Sequence, residues 1–266
     1  MFRDITLGQY YPAESIIHEL DPRVKLLGTL VWIIGLFVMD NIPSFIFVTA
    51  CLIGIIVLSN VPFSFMARGL RSIMVLVLIA AIFNLFFTPG TPVFKWKAIE
   101  ITDAGIYNAV IMMVRMFYLI IGTSIMTLTT TPNNLTDGLE TALAPLSVLH
   151  VPVHEIAMMM SIALRFIPIL IEETNKIMKA QMARGADFES GNIITKAKNM
   201  IPLLVPLFVS AFRRANDLAL AMEARCYSGG DGRTKMNPLR YKGYDFWAYI
   251  ALGIFLAGVI VLKVVF

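Results

Sequence analysis

Asn41-Ile-Pro-Ser-Phe-Ile-Phe-Val-Thr-Ala-Cys-Leu-Ile-Gly-Ile-Ile-Val-Leu-Ser-Asn-Val-Pro-Phe-Ser-Phe-Met-Ala67 runs for 27 residues without an Asp, Glu, Lys or Arg. A helix needs about 20 predominantly apolar residues to cross the hydrocarbon of a bilayer, and Ser44 to Val61 supplies nearly that many. The same character extends outward in both directions. Of 266 residues, 58% are hydrophobic and only 15% charged, and the mean hydropathy is +0.75. A soluble domain of this length carries nearer a quarter charged residues, so the chain reads as a polytopic membrane protein.

Upstream of that run, Leu20-Asp21-Pro22-Arg23-Val24-Lys25 marks a helix start, with Asp21 as cap and Pro22 in the first position. A first span, Leu26 to Met39, follows and stops at Asp40-Asn41 and Pro43. It is short, and Arg23 and Lys25 extend its reach by snorkelling. The first 25 residues contain no apolar signal-peptide core, so insertion is expected to rely on the spans themselves.

Downstream, Arg68 and Arg71 are expected in a connection. A third span (Ser72 to Phe87) then leads into a polar loop carrying Lys95, Lys97, Glu100 and Asp103. A fourth span runs from Ala104 to Thr130, and a last one from Phe246 to Leu262. Between them, from Thr131 to Tyr244, charges recur every ten or so positions, which predicts amphipathic helices rather than spans. Three are expected, over Asn133–Leu143, Val153–Arg184 and Asn192–Arg225, with kinks or breaks at Pro168, Pro202 and Pro206. The fold class is therefore all-α: a membrane protein of about five spans with long coupling helices. Its segments are 1–130, with spans one to four, a cytoplasmic region 131–245, and the terminal span 246–266.

Charge sets the orientation. With the N-terminus inside, eighteen Lys and Arg lie on the cytoplasmic side and only Lys95, Lys97 and Lys263 outside, with Arg115 inside a span. The positive-inside rule then places the N-terminus in the cytoplasm and the C-terminus outside a multi-pass cell membrane protein. Arg115 lies about 16 Å into the fourth span at 1.5 Å per residue, too deep for easy snorkelling. Paired burial is expected, with carbonyls, Asn84 or a second protein as partners.

Several weaker patterns are set aside. His150 and His154 flank Pro152 and have no third ligand, so no metal site is expected. Ser228-Gly-Gly-Asp-Gly-Arg-Thr234 lacks the ending of a phosphate loop, so the chain is not expected to bind ATP itself. Asn134-Leu-Thr136 fits a helix start better than a glycosylation site. Cys51 and Cys226 are not expected to meet. No acid–base or nucleophile set is found, so no catalytic residue is expected and no enzyme is inferred. Net charge is only +4, and no nucleic-acid partner is implied.

Two motifs stand out within the coupling region, Ala180-Gln-Met-Ala-Arg-Gly-Ala186 and Ala221-Met-Glu-Ala-Arg-Cys-Tyr227. Each offers an arginine in a helix's last turn, beside small residues that allow close approach. That suits docking onto a carboxylate of another chain. A single such Arg is ordinary helix-end solvation. Two copies 41 residues apart, behind similar helices, favour docking. Sixteen methionines are the other anomaly, several of them on these helices, where they suit either core filling or adaptable contact surfaces.

Asp21-Pro-Arg-Val-Lys-Leu-Leu27, Ala163-Leu-Arg-Phe-Ile-Pro168 and the two Ala-Arg motifs together resemble the transmembrane coupling subunit, or T component, of energy-coupling factor transporters of the EcfT/CbiQ type. The resemblance spans nearly the whole chain. It implies a subunit joining two ABC-type ATPases, which bind the ATP, to a membrane-embedded substrate-binding S component. No cofactor of its own is implied. The docking residues carried over are Ala183, Arg184 and Gly185, and Ala224, Arg225 and Cys226, where Cys226 replaces the glycine of the pattern. Met158, Met159, Met178 and Met182 are expected to form an S-component platform. Vitamin or micronutrient uptake is implied. The alternatives are a dedicated cobalt, nickel or biotin system, or a secondary transporter with its own substrate site, for which only Arg115 and Asn84 could serve.

Overall fold

The computed structural model describes residues 10–96, 99–188, 192–229 and 238–265. A single turn, α1 (Ile16–Glu19), is capped by Ser15, and the chain then restarts at Asp21-Pro22 as its chemistry requires. Asp21 caps α2 (Pro22–Val38), its carboxylate accepting the Arg23 N–H over 2.9 Å, and Pro22 fills the first position where no N–H is needed. There follow α3 (Ile42–Ser59), α4 (Phe63–Phe87), two short strands β1 (Pro92–Trp96) and β2 (Ile99–Thr102), and α5 (Asp103–Thr129). Next come α6 (Pro132–Leu143), a 3-10 turn (Ala144–Leu149), α7 (Val153–Ala183), α8 (Ile193–Asn199), α9 (Ile201–Glu223) and α10 (Gly243–Val265).

The five expected spans are all helices, α2 to α5 and α10, and the polytopic α-helical class stands. Three details differ. Arg68 and Arg71 lie within α4, because the helix starts at Phe63 immediately after Pro62, leaving only a tight αL turn at Asn60 as the connection. The polar loop is a two-stranded antiparallel ribbon in which Pro92 pairs with Thr102 and Trp96 with Ile99. The third coupling helix is two helices, broken at Met200. Pro202 lacks the N–H that a continuous helix would use and crowds the preceding turn, so it sits instead in the first turn of α9.

By length and composition alone, four helices among the described residues suffice to cross a membrane: α3, α5, α7 and α10. The most apolar 18-residue stretch of α7 has a mean hydropathy of 1.6, the lowest of the four. α2 has 17 residues, yet it is bound to α10 at both ends. Asp21 N–H donates to Asp245 Oδ1 over 2.8 Å where both helices begin, and Lys263 Nζ donates to Asp40 Oδ2 over 3.0 Å where both end. The two run parallel and cover the same depth. α5 runs antiparallel to α2, with Lys25 Nζ donating to the Thr129 carbonyl over 2.9 Å and Arg115 Nη2 to that of Met39 over 2.6 Å.

The chain divides into two compact units. The described residues of one fall within Gly8–Gly138 and Leu239–Phe266, those of the other within Leu139–Pro238. The core of the first joins Trp32, Leu36 and Met39 of α2, Val48 and Leu52 of α3, Ile121 and Ile125 of α5, and Phe255 and Val259 of α10. Trp32 stacks on Phe255 with ring centroids 5.2 Å apart, and its indole N–H donates to the Tyr118 carbonyl over 3.1 Å. Gly122 permits this approach, since a Cβ there would collide with the Trp32 ring. The outer faces are lined by exposed Ile, Val, Leu and Phe, the surface expected against lipid tails. Asn84, the only amide in α4, donates to the Ala80 carbonyl (3.1 Å) and to Met112 Sδ (2.8 Å).

In the second unit α7 and α9 pack against each other. Gln181 Nε2 donates to the Pro202 carbonyl over 3.4 Å, and Arg214 pairs with Glu173 at 3.0 Å. One contact joins the end of α7 to the start of α9, and the other lies further back along α7 and further forward along α9. The pair is therefore antiparallel.

Candidate functional site

The two Ala-Arg motifs end their helices in the same way. At the end of α7, the Gly185 N–H donates to the Met182 carbonyl over 3.0 Å and the Ala186 N–H to that of Gln181 over 3.0 Å. At the end of α9, the Cys226 N–H donates to the Glu223 carbonyl over 2.9 Å and the Tyr227 N–H to that of Met222 over 3.1 Å. These are the paired 5→2 and 6→1 bonds of a Schellman cap, which satisfy the last carbonyls of a helix and require a left-handed residue at the turn. Gly185 (φ +87°) and Cys226 (φ +56°) fill that position. Glycine adopts it without cost, whereas a Cβ pays about 1–2 kcal/mol. Cys226 thus keeps the backbone geometry of a glycine cap.

Ala183, Arg184, Gly185, Ala224, Arg225 and Cys226 are all exposed. Among the described residues, neither guanidinium takes part in an ion pair. Each arginine stands immediately before its left-handed residue, at the negative end of a helix dipole. Because α7 and α9 are antiparallel, the two arginines lie at opposite ends of the pair. From Pro202, level with the end of α7, α9 carries the chain about 35 Å to Arg225 at 1.5 Å per residue.

The four methionines are not brought together as one surface. Met159 and Met182 are exposed while Met158 and Met178 are half-buried. At 100° per residue, Met158 lies about 200° round the helix from Met178. The coherent apolar face is on α9, where Ile201, Val205, Phe208 and Phe212 fall within about 60° of arc by the same geometry. All four are more than half exposed, and Phe208 stacks on Phe212 with centroids 6.2 Å apart. Their spacing of four, three and four was readable in the sequence, beneath the disruption signalled by Pro202 and Pro206.

Arg115 has its partners inside the chain. Its Nη2 donates to the Met39 carbonyl and approaches Asp40 Oδ1 at 3.3 Å. A carbonyl was expected, while Asn84 is engaged elsewhere. Asp40, read as the residue that stops the first span, is the acid the sequence reading overlooked. The remaining marginal motifs are structural where they are described. His150 takes a left-handed conformation (φ +59°), closing the turn before α7, and His154 Nδ1 lies 2.9 Å from Glu140 Oε1. Thr136 is buried, its hydroxyl donating to the Pro132 carbonyl, and Thr131 Oγ1 caps α6 through the Asn134 N–H. Most of the Ser228–Thr234 loop lies outside the described residues.

The family model described as cobalt transport protein, CbiQ, matches residues 13–236. The energy-coupling factor transporter transmembrane protein EcfT of Clostridium kluyveri is 55% identical over 250 residues, 93% of either chain. That of Ruminiclostridium cellulolyticum is 49% identical over the full length of both chains. The EcfT of Bacillus subtilis is 45% identical over 95% of this chain and 96% of its own. The chain belongs to the CbiQ/EcfT family. As an EcfT-type protein it is a multi-pass transmembrane component of an energy-coupling factor transporter. The paired helix ends are thus features of a transporter subunit.

Proposed function

We infer that this subunit couples two cytoplasmic ATPases to a membrane-embedded S component, with the Arg184 and Arg225 ends as the two ATPase contacts. The supporting observation is the placement of two matching arginine-bearing helix ends, neither in an ion pair among the described residues, at opposite ends of one antiparallel helix pair. One docking site would need only one such end, whereas ends about 35 Å apart suit two separate partner molecules. The exposed α9 stripe of Ile201, Val205, Phe208 and Phe212 is the S-component platform, in place of a methionine face. An apolar patch of this kind is unfavourable in water and calls for a partner.

In this reading residues 131–245 face the cytoplasm, the N-terminus is inside and the C-terminus outside. α7 is a surface helix despite its apolar length: it bears Glu172, Glu173, Lys176 and Lys179 near its end, and Glu173 is paired to α9. When the ATPases close on ATP, the two docked ends move with them and α9 re-orients the bound S component. The cargo, a vitamin or other micronutrient, is chosen by that S component. The test is co-purification of the tagged subunit from its own membranes. Two ATPase chains with one or more small apolar membrane proteins support the reading, and recovery of the subunit with no ATPase contradicts it.

A further inference from the structure

The cluster around Asp40 carries one more positive charge than its internal pairing uses. Asp40 accepts from two cations at once, with Arg115 Nη2 at 3.3 Å from Oδ1 and Lys263 Nζ at 3.0 Å from Oδ2. α3 starts beside it and carries no charged residue. At the far end of α5, Asp103 is occupied by the backbone N–H groups of Thr91 and Ala104. The ledge of Asp40, Arg115 and Lys263 therefore has a net charge of +1. Arg115 Nε is buried without a hydrogen-bond partner among the described residues, and the side chains of Lys263 and Asp40 are 44% and 58% exposed. Three residues before Asp40 stands Phe37, and three before Lys263 stands Ile260, both exposed. That spacing places each apolar side chain one turn deeper in the bilayer than the charge above it.

We propose that this ledge binds one anionic phospholipid, its phosphodiester against Lys263 and Arg115 and its acyl chain against Phe37 and Ile260. A singly charged headgroup neutralises the ledge, and Asp40 holds the two cations apart as a cradle. α5 continues beyond the ledge from Tyr107, whose hydroxyl reaches the Asp40 carbonyl, to Asp103. The headgroup sits below the tip of α5, and the bilayer thins locally, the usual accommodation of an arginine within a span.

The full chain, reconstituted in nanodiscs of mixed phosphatidylglycerol and phosphatidylcholine, is transferred to mild detergent, and the retained lipid is counted by native mass spectrometry. The wild type is expected to retain phosphatidylglycerol several-fold over phosphatidylcholine. Lys263→Gln should lose most of that preference, Lys263→Arg should keep it, and Asp40→Asn, which leaves two unopposed cations, should strengthen it. Millimolar inorganic phosphate should not displace the lipid, because phosphate gains nothing from Phe37 and Ile260. The opposed signs separate ligand binding from a structural clamp, since loss of a clamp would weaken retention in Asp40→Asn as in Lys263→Gln. Equal retention of the two lipids by the wild type, a parallel fall in both variants, or displacement by free phosphate would overturn the proposal.

Discussion

Asp245, buried to 1% exposure, accepts the backbone N–H of Asp21 at 2.8 Å through Oδ1 and that of Lys242 at 2.6 Å through Oδ2. One carboxylate thus fixes the start of the last span to the start of the first, 224 residues apart. Asp245→Ala would leave both N–H groups without their acceptor, at about 1–3 kcal/mol for each buried group that water does not reach. Asp245→Asn keeps one acceptor and should lose about half as much. Thermal unfolding of the purified protein in detergent checks both, and equal midpoints for Asp245→Ala and wild type would contradict this role.

The two Schellman caps give a prediction of opposite signs. Gly185→Ala puts a Cβ into a left-handed position and should cost about 1 kcal/mol. Cys226→Gly relieves the same conformation and should gain up to about 1 kcal/mol, less the extra entropy of glycine in the unfolded chain. Unfolding midpoints that move in the same direction for both variants would show that the caps are not equivalent.

Much of this was legible in the sequence because it is local. The uncharged run 41–67, the Asp21-Pro22 start, the helix start around Asn134-Leu-Thr136 and the two helix ends each follow from near neighbours along the chain. The break at Met200 was foreshadowed by Pro202. What could not be read are relations between distant residues: Asp245 with Asp21, Arg115 and Lys263 with Asp40, and the antiparallel course of α7 and α9 that sends the two arginines apart. Asp40 and Asp245 look like span-ending polar residues until the fold brings partners to them. The four methionines are spread round α7 by helical angle and do not share one face, a relation that residue type alone does not reveal.

His18 supplies a pH dependence. Burial, and secondarily the charge of Lys25, lower its pKa from 6.5, against the opposing effect of the Tyr11 carbonyl. The folded state therefore favours neutral imidazole. Stability is complete above 6.5 and falls as the pH drops below that value towards the lowered folded pKa, since the unfolded chain takes up the proton first. His18→Gln should flatten this slope. A wild-type unfolding midpoint that rises on acidification through this window would contradict the assignment.

Topology is checked at the C-terminus. In a background with Cys51→Ala and Cys226→Gly, Val265→Cys is expected to react with an impermeant thiol reagent on intact cells. Reaction only after lysis would mean that α7 crosses the membrane or that one of the five spans does not.

The coupling reading stands or falls on Arg184 and Arg225. Truncating one partner of a buried interfacial charge pair costs about 2–5 kcal/mol, and reversal adds repulsion. Arg184→Glu or Arg225→Glu alone should weaken ATPase retention while the other end holds, and Lys at either position should rescue only in part because it lacks the planar fork. The decisive measurement is ATPase retention on the purified double variant, Arg184→Glu with Arg225→Glu, together with substrate uptake into vesicles. The account predicts an inserted, folded subunit that sheds both ATPases and no longer supports uptake. A double variant that keeps both ATPases and normal uptake would contradict it.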